Sequence, residues 1–160
     1  FHDFLILGGA GLVGTQVCRQ ISSRLEPRRI IVGSLLEREA RTACDHLERE
    51  FGERIAFVPV WGNLFVPSAM ANIPRGQIMA DKAMRQELLE GLYGEFGPAY
   101  QDNHLVNLIR HHRPDVIVDC VNTATGLSYQ NVFDGAAKVM GWLQDDSYSS
   151  DGVADLEASV

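Results

Sequence analysis

Apolar residues follow two rhythms along this chain. Four short apolar runs, at residues 4–7, 29–33, 54–58 and 116–121, have the length and β-branched content of buried strands. Between them the spacing becomes helical. Val13, Val17 and Ile21 recur at every fourth position. Leu36, Ala40, Ala43, Cys44, Leu47 and Phe51 form a longer stripe closed by Gly52, and Leu105, Leu108 and Ile109 lie on a helix that stops near Pro114. Single strands alternating with single helices predict a doubly wound α/β domain, a parallel sheet with helices on both faces.

One stretch departs from that alternation. Nearly forty residues, about 64–101, separate Trp61-Gly62-Asn63 from the next helix, where a simple strand–helix–strand unit needs only a few. Residues 79–96 read as a helix with Met84, Leu88, Leu89 and Leu92 on its apolar face. The plain expectation is an extra surface helix packed on the core; a substrate lid or a dimer helix are the alternatives. Pro59, Pro67, Pro74 and Gly76 make its approach irregular, as a hinged insertion would be. After about residue 144 apolar periodicity fades, and residues 145–160, rich in Asp, Ser and Gly, read as a solvated acidic tail or linker.

Composition narrows the class. With 160 residues, 46% of them hydrophobic and 22% charged, the chain can bury one real core. No apolar run approaches the ~20 residues of a membrane helix, and no secretory leader is visible. The net charge of −7 argues against a nucleic-acid surface, which needs a basic patch. Cys18, Cys44 and Cys120 are an odd, scattered set; they make no disulfide framework and point to a reducing cytoplasm. No Cys/His spacing suits zinc.

The chemistry starts where the first strand ends. Gly8, Gly11 and Gly14 fit G-x-x-G-x-x-G, and Gly9, Gly11 and Gly14 also fit G-x-G-x-x-G. Either spacing brings bare backbone to a helix N-terminus, whose unpaired N–H groups and positive dipole end suit a pyrophosphate. A side chain at Gly11 would hold phosphates away, and one at Gly14 would push the helix off the sheet. The turn residues Leu12 and Val13 offer their N–H groups to the same site.

At the end of the second strand, where such folds read the adenosine ribose, stands Ser34, with Glu37 and Arg38 close behind. A small hydroxyl beside an Arg tolerates a 2′-phosphate, so the expectation is NADP in preference to NAD; Glu37 and Arg38 could equally just solvate the next helix. Asn63 is placed to meet the adenine edge, with Leu64 against the ring. Asn122 and Thr123, just after the fourth strand, are placed near the nicotinamide ribose, or simply cap the next helix. Cys120 reads as core packing. His111 and His112 complement the C-terminal dipole of their helix.

Three segments together resemble the short-chain dehydrogenase/reductase superfamily, in particular its extended branch of nucleotide-sugar epimerases and dehydratases. Leu7-Gly8-Gly9-Ala10-Gly11-Leu12-Val13-Gly14 is similar to that branch's glycine-rich opening. Gly62-Asn63-Leu64 resembles its Gly-Asp-Val/Leu step at adenine, with Asn for Asp. The stretch from His112 to Asn122, with Arg113-Pro114-Asp115-Val116-Ile117-Val118, resembles its Arg-Pro-Asp-Val-Val-Ile fourth strand. The resemblance implies a Rossmann-like fold, hydride transfer with NAD or NADP, a small-molecule substrate such as a nucleotide sugar, and room for a homodimer.

It also implies a catalytic Tyr-x-x-x-Lys, and none is here: Tyr93, Tyr100, Tyr129 and Tyr148 each lack a Lys four residues on. The catalytic residues therefore stay unassigned. The expectation is a fragment, the N-terminal cofactor half of an oxidoreductase or epimerase/dehydratase. The alternatives are a non-catalytic dinucleotide sensor or scaffold, and a saccharopine-dehydrogenase-like reductase, which has a similar glycine opening without Tyr-x-x-x-Lys.

Overall fold

The structure, a computed structural model, describes residues 1–121. Asn122, Thr123 and the proposed acidic tail lie outside the described residues. Four parallel strands form one sheet: β1 (Asp3–Leu7), β2 (Arg29–Ser34), β3 (Ala56–Trp61) and β4 (Val116–Asp119), in the order β3-β2-β1-β4. The register is continuous, with Leu5 opposite Ile31 on one side and Ile117 on the other, and Ile31 opposite Val58. Helices cover both faces, so the fold is Rossmann-like, as the alternation predicts.

Alternate residues of β1 and β2 point to opposite faces, and this period of two builds two cores. Phe4, Ile6, Ile30 and Val32 meet α1 (Leu12–Arg24) and α2 (Glu37–Phe51) through Cys18, Ile21, Cys44 and Leu47. Leu5, Leu7, Ile31 and Val60 meet Leu105, Leu108 and Ile109 of α6 (His104–His112). Leu5, Ile6, Ile30, Ile31 and Leu47 are fully buried; each contributes roughly 1.5–3 kcal/mol by leaving water.

Three expectations shift. The face of α1 is Gly14, Cys18 and Ile21, not Val13, which is 64% exposed at the helix start. The third strand begins at Ala56 rather than residue 54, because Gly52–Arg54 make a 3-10 turn after the helix C-cap at Gly52 (φ 71°). It runs on through Pro59 to Trp61; an edge strand tolerates a residue without an N–H. The fourth strand stops at Asp119, whose carboxylate turns back to accept the Val121 N–H at 2.8 Å.

The insertion is three helices rather than one: α3 (Arg75–Ala80), α4 (Lys82–Tyr93) and α5 (Phe96–Asp102). Asp81 ends the first and starts the second, its carboxylate accepting the N–H groups of Ala83 and Met84. Val66, Met70, Ala71 and Ile78 form a small separate core, with Met84 and Leu88 packed on it. The base is pinned where Pro67 bridges Asn103, and where the Leu105 and His104 N–H groups bond the Leu64 and Val66 carbonyls.

The N-terminal ends of the strands are tied by charge. Asp3, 4% exposed, accepts from Arg28 at 3.0 and 2.6 Å and from Arg29 at 2.6 Å. Asp115 accepts the N–H groups of His2 and Asp3. This network locks one end of the sheet and leaves the other for the loops.

Candidate functional site

Those loops begin at the glycine turn after β1. The Gly9 N–H reaches the Ile6 carbonyl at 3.1 Å, and the Gly11 N–H reaches the Gly8 carbonyl at 2.9 Å. Gly8 has φ +69°, and a Cβ there would also sit 3.0 Å from the Cys120 carbonyl oxygen at the end of β4. A Cβ at Gly14 would collide with the Gly8 carbonyl oxygen and stand 2.6 Å from the Gly9 Cα. Thr15 fixes the turn, its hydroxyl donating to the carbonyls of Gly11 (2.8 Å) and Gly9 (3.2 Å).

Gly11 differs from its neighbours. It is the N-cap of α1, with φ −73° and ψ 172°, a conformation open to any residue. Its missing Cβ would meet only the Gly8 carbonyl oxygen, at 3.1 Å. No side chain caps α1, and no acid stands in its first turn. The N–H groups of Leu12, Val13 and Gly14 find no acceptor among the described residues. Three aligned donors stand at the positive end of a 13-residue helix, a geometry that favours negative charge. They lie where β1 parts from β4, the point at which chain order along the sheet reverses and ligands gather at strand carboxyl ends.

From these donors, a run of backbone hydrogen bonds crosses the sheet edge. The Ala10 N–H reaches the Gly33 carbonyl, the Gly62 N–H the Ser34 carbonyl, and the Asn63 N–H the Ala71 carbonyl. The structure thus brings Gly8, Gly11, Leu12, Val13 and Gly14 together and sets Ser34 and Asn63 beside them in order. Asn63 closes an Asx turn, its Oδ1 accepting the Phe65 N–H at 3.1 Å, which leaves its amide donors outward. Leu64 packs on the core with Leu5 and Val60.

At the end of β2 the groups sort themselves. The Ser34 hydroxyl donates to Glu39 Oε2 at 2.8 Å. Glu37 is paired with Arg41 at 2.8 Å, and Arg41 also lies 4.9 Å over the Trp61 ring. Arg38 is exposed and makes no ion pair among the described residues. Sequence reasoning stopped at Glu37, the first acid after the strand. The usable signal was the Glu37–Arg41 spacing, an i,i+4 pair that takes Glu37 out of play and leaves Glu39.

Burial pushes Cys18 and Cys44 up to about 12, and burial followed by the Asp119 charge raises Cys120. Burial first, then the charges of His111 and Arg29, lower His112, so it is a weaker partner for the helix dipole than its position promised. Among the described residues no group of His, Cys, Asp and Glu could hold a metal, and no helix is long and apolar enough to cross a membrane.

Part of the chain is similar to the capsular polysaccharide biosynthesis protein CapD of Staphylococcus aureus, 36% identical over 56 residues. That match covers 35% of this chain and 9% of the relative. No family model and no solved structure matches the chain.

Proposed function

We propose that this chain is the NAD(P)-binding part of an oxidoreductase or nucleotide-sugar epimerase/dehydratase, of the extended short-chain dehydrogenase/reductase type. The observation that carries the reading is the uncapped start of α1: three N–H groups without an acceptor among the described residues, behind a glycine with no side chain to cap them. The partial similarity to a polysaccharide biosynthesis protein supports a saccharide substrate, and activated sugars are carried as nucleotide sugars.

In this reading Leu12, Val13 and Gly14 donate to the pyrophosphate, and Gly11 lets it approach. Ser34 and Glu39 face the adenosine ribose. The Ser34 proton is committed to Glu39, so the pair offers lone pairs to a 2′-hydroxyl. A 2′-phosphate would need Ser34 to let go and Arg38 to swing in. The geometry therefore supports NAD, with NADP reachable through Arg38. Asn63 donates to the base, and Asn122 and Thr123, outside the described residues, are assigned to the nicotinamide ribose. The bound cofactor would supply a hydride acceptor at nicotinamide C4. No residue of this chain is assigned as the acid/base that moves the substrate proton.

Gly11→Asp tests the cradle. Asp is a better N-cap than Gly and its charge suits the dipole, so the fold should hold or gain slightly in melting temperature. The same charge sits against the pyrophosphate, so NADH and NADPH affinity, read by nicotinamide fluorescence, should fall ~100-fold or more. Equal affinity in variant and parent would end the reading.

A further inference from the structure

The insertion leaves an aromatic patch in water. Phe96, 80% exposed, and Tyr100, 45% exposed, stand one turn apart on α5, with ring centroids 5.5 Å apart and planes tilted by 22°. The Arg110 guanidinium of α6 lies 4.9 Å over the Tyr100 ring. No residue of α5 is buried, and a Cβ added at Gly97 would meet nothing within 4 Å. Stacked aromatics beside an Arg are what the cores of protein interfaces are enriched in. The charges next to the rings have opposite sign. Arg110, at Tyr100, makes no ion pair among the described residues, and neither does Glu95, the residue before Phe96. The Glu95 side chain does not cap α5 either.

We propose that this patch is a homodimer interface, covered by the same patch of a second copy of the chain about a two-fold axis. A two-fold contact needs one surface that complements itself. This one does so in two ways. Its apolar centre is a pair of rings that can stack on the same pair turned round. Its two unpaired charges differ in sign and belong to different rings, the cation to Tyr100 and the acid to Phe96. With the two α5 helices antiparallel, Phe96 of each copy lies on the partner's Tyr100, and each Arg110 meets the partner's Glu95. The axis repeats both contacts, so two aromatic stacks and two ion pairs form together. A foreign partner would have to match rings and charges separately, whereas a second copy matches them by symmetry. The patch rests on a helix of seven residues and its neighbour, so the dimer is a small, reversible one that forms with rising concentration.

The test is sedimentation equilibrium of the full chain over about 1–300 µM, with circular dichroism confirming the fold of each variant. The parent's average mass should climb from 17.7 kDa toward twice that value. Phe96→Ser, at an exposed position, should weaken the dimer by about tenfold or more. Arg110→Glu and Glu95→Arg each set like charges together at both contacts, so each variant alone should also pair about tenfold or more weakly. Mixed in equal amounts, the two variants bring opposite charges together at both contacts. A mixed dimer should then form about fivefold or more tightly than either variant pairs with itself. Failure of the mixture to recover, or a dimer that Phe96→Ser leaves intact, would overturn the proposal. So would a parent that stays monomeric throughout. If Phe96→Ser then also lowered the melting temperature of that monomer, the rings would be covered from within the chain instead.

Discussion

Glu39→Gln isolates one charge. Gln keeps the length of the side chain and can still accept the Ser34 hydroxyl, so the 2.8 Å bond survives in shape while the carboxylate charge goes. A phosphate oxygen bonded to Ser34 Oγ at about 2.7 Å would stand roughly 5 Å from Glu39 Oε2. Two unit charges at that distance repel by about 3 kcal/mol at an effective dielectric of 20. Glu39 is exposed, so solvent and salt cut this to about 1–2 kcal/mol. NADH loses only the charge assistance of a hydrogen bond from its 2′-hydroxyl. The selectivity ratio, NADPH over NADH, should therefore rise about 5- to 30-fold. The assay is the dissociation constant for each cofactor by fluorescence titration at 50 mM and 500 mM salt, with the shift shrinking at the higher salt. A ratio within twofold of the parent at low salt would mean that Glu39 does not face the ribose, and the placement of Ser34 would fall with it.

Other substitutions read the fold itself. Gly14→Ala puts a methyl into the Gly8 and Gly9 backbone, and the strain should cost about 1–3 kcal/mol in a denaturant melt, with binding lost as α1 is displaced. Asp3→Ala removes the shared acceptor of Arg28, whose side chain is 74% exposed, and of Arg29, which keeps the His112 carbonyl, and should cost about 1–3 kcal/mol, measured the same way. The Arg28 hydrogen bond holds the Asp3 carboxyl below its ordinary 3.8, and the N–H groups of His2 and Asp3 do the same for Asp115. Depressed carboxyls stabilise the fold above pH 3.8, and that stability drains as pH falls through their lower folded values. A melting profile taken from pH 6 to pH 2 should therefore drop below pH 4, and the drop should be smaller in Asp3→Ala.

Much of this was legible in the chain because it rests on local pattern. The strand–helix alternation gave the sheet, and an unbroken apolar strand such as residues 4–7 can only be buried on both faces. The glycine spacing marked the tight turn between β1 and α1, because Gly8 needs its positive φ and Gly14 has no room for a side chain. What escaped was tertiary. Val13 fits the α1 stripe by spacing, but the first turn of α1 stands beyond the end of the sheet core and leaves Val13 exposed. One expected helix became three because a capping Asp81 is worth more than continuing an apolar face across it. Glu39 stayed hidden because reaching Ser34 depends on the angle at which α2 leaves the strand.

The glycines themselves divide, and the division carries the functional argument. At Gly8 the positive φ and at Gly14 the crowding by Gly8 and Gly9 would exclude a side chain in any protein with this turn, ligand or none. Those two report the fold. Gly11 has an ordinary φ, but a Cβ there would stand 3.1 Å from the Gly8 carbonyl oxygen, so the turn must give by a few tenths of an ångström; it holds a position where Ser, Thr, Asp or Asn would close the helix by about 0.5–2 kcal/mol relative to Ala, against only a few tenths relative to Gly. Keeping glycine leaves three donors open and the approach to them bare. Gly11→Ser makes the contrast measurable: the fold should melt at the same or a slightly higher temperature, while dinucleotide affinity drops as the hydroxyl competes for the Val13 or Gly14 N–H. If Gly11→Ser left affinity untouched, the open helix start would be a feature of the turn and not of a ligand.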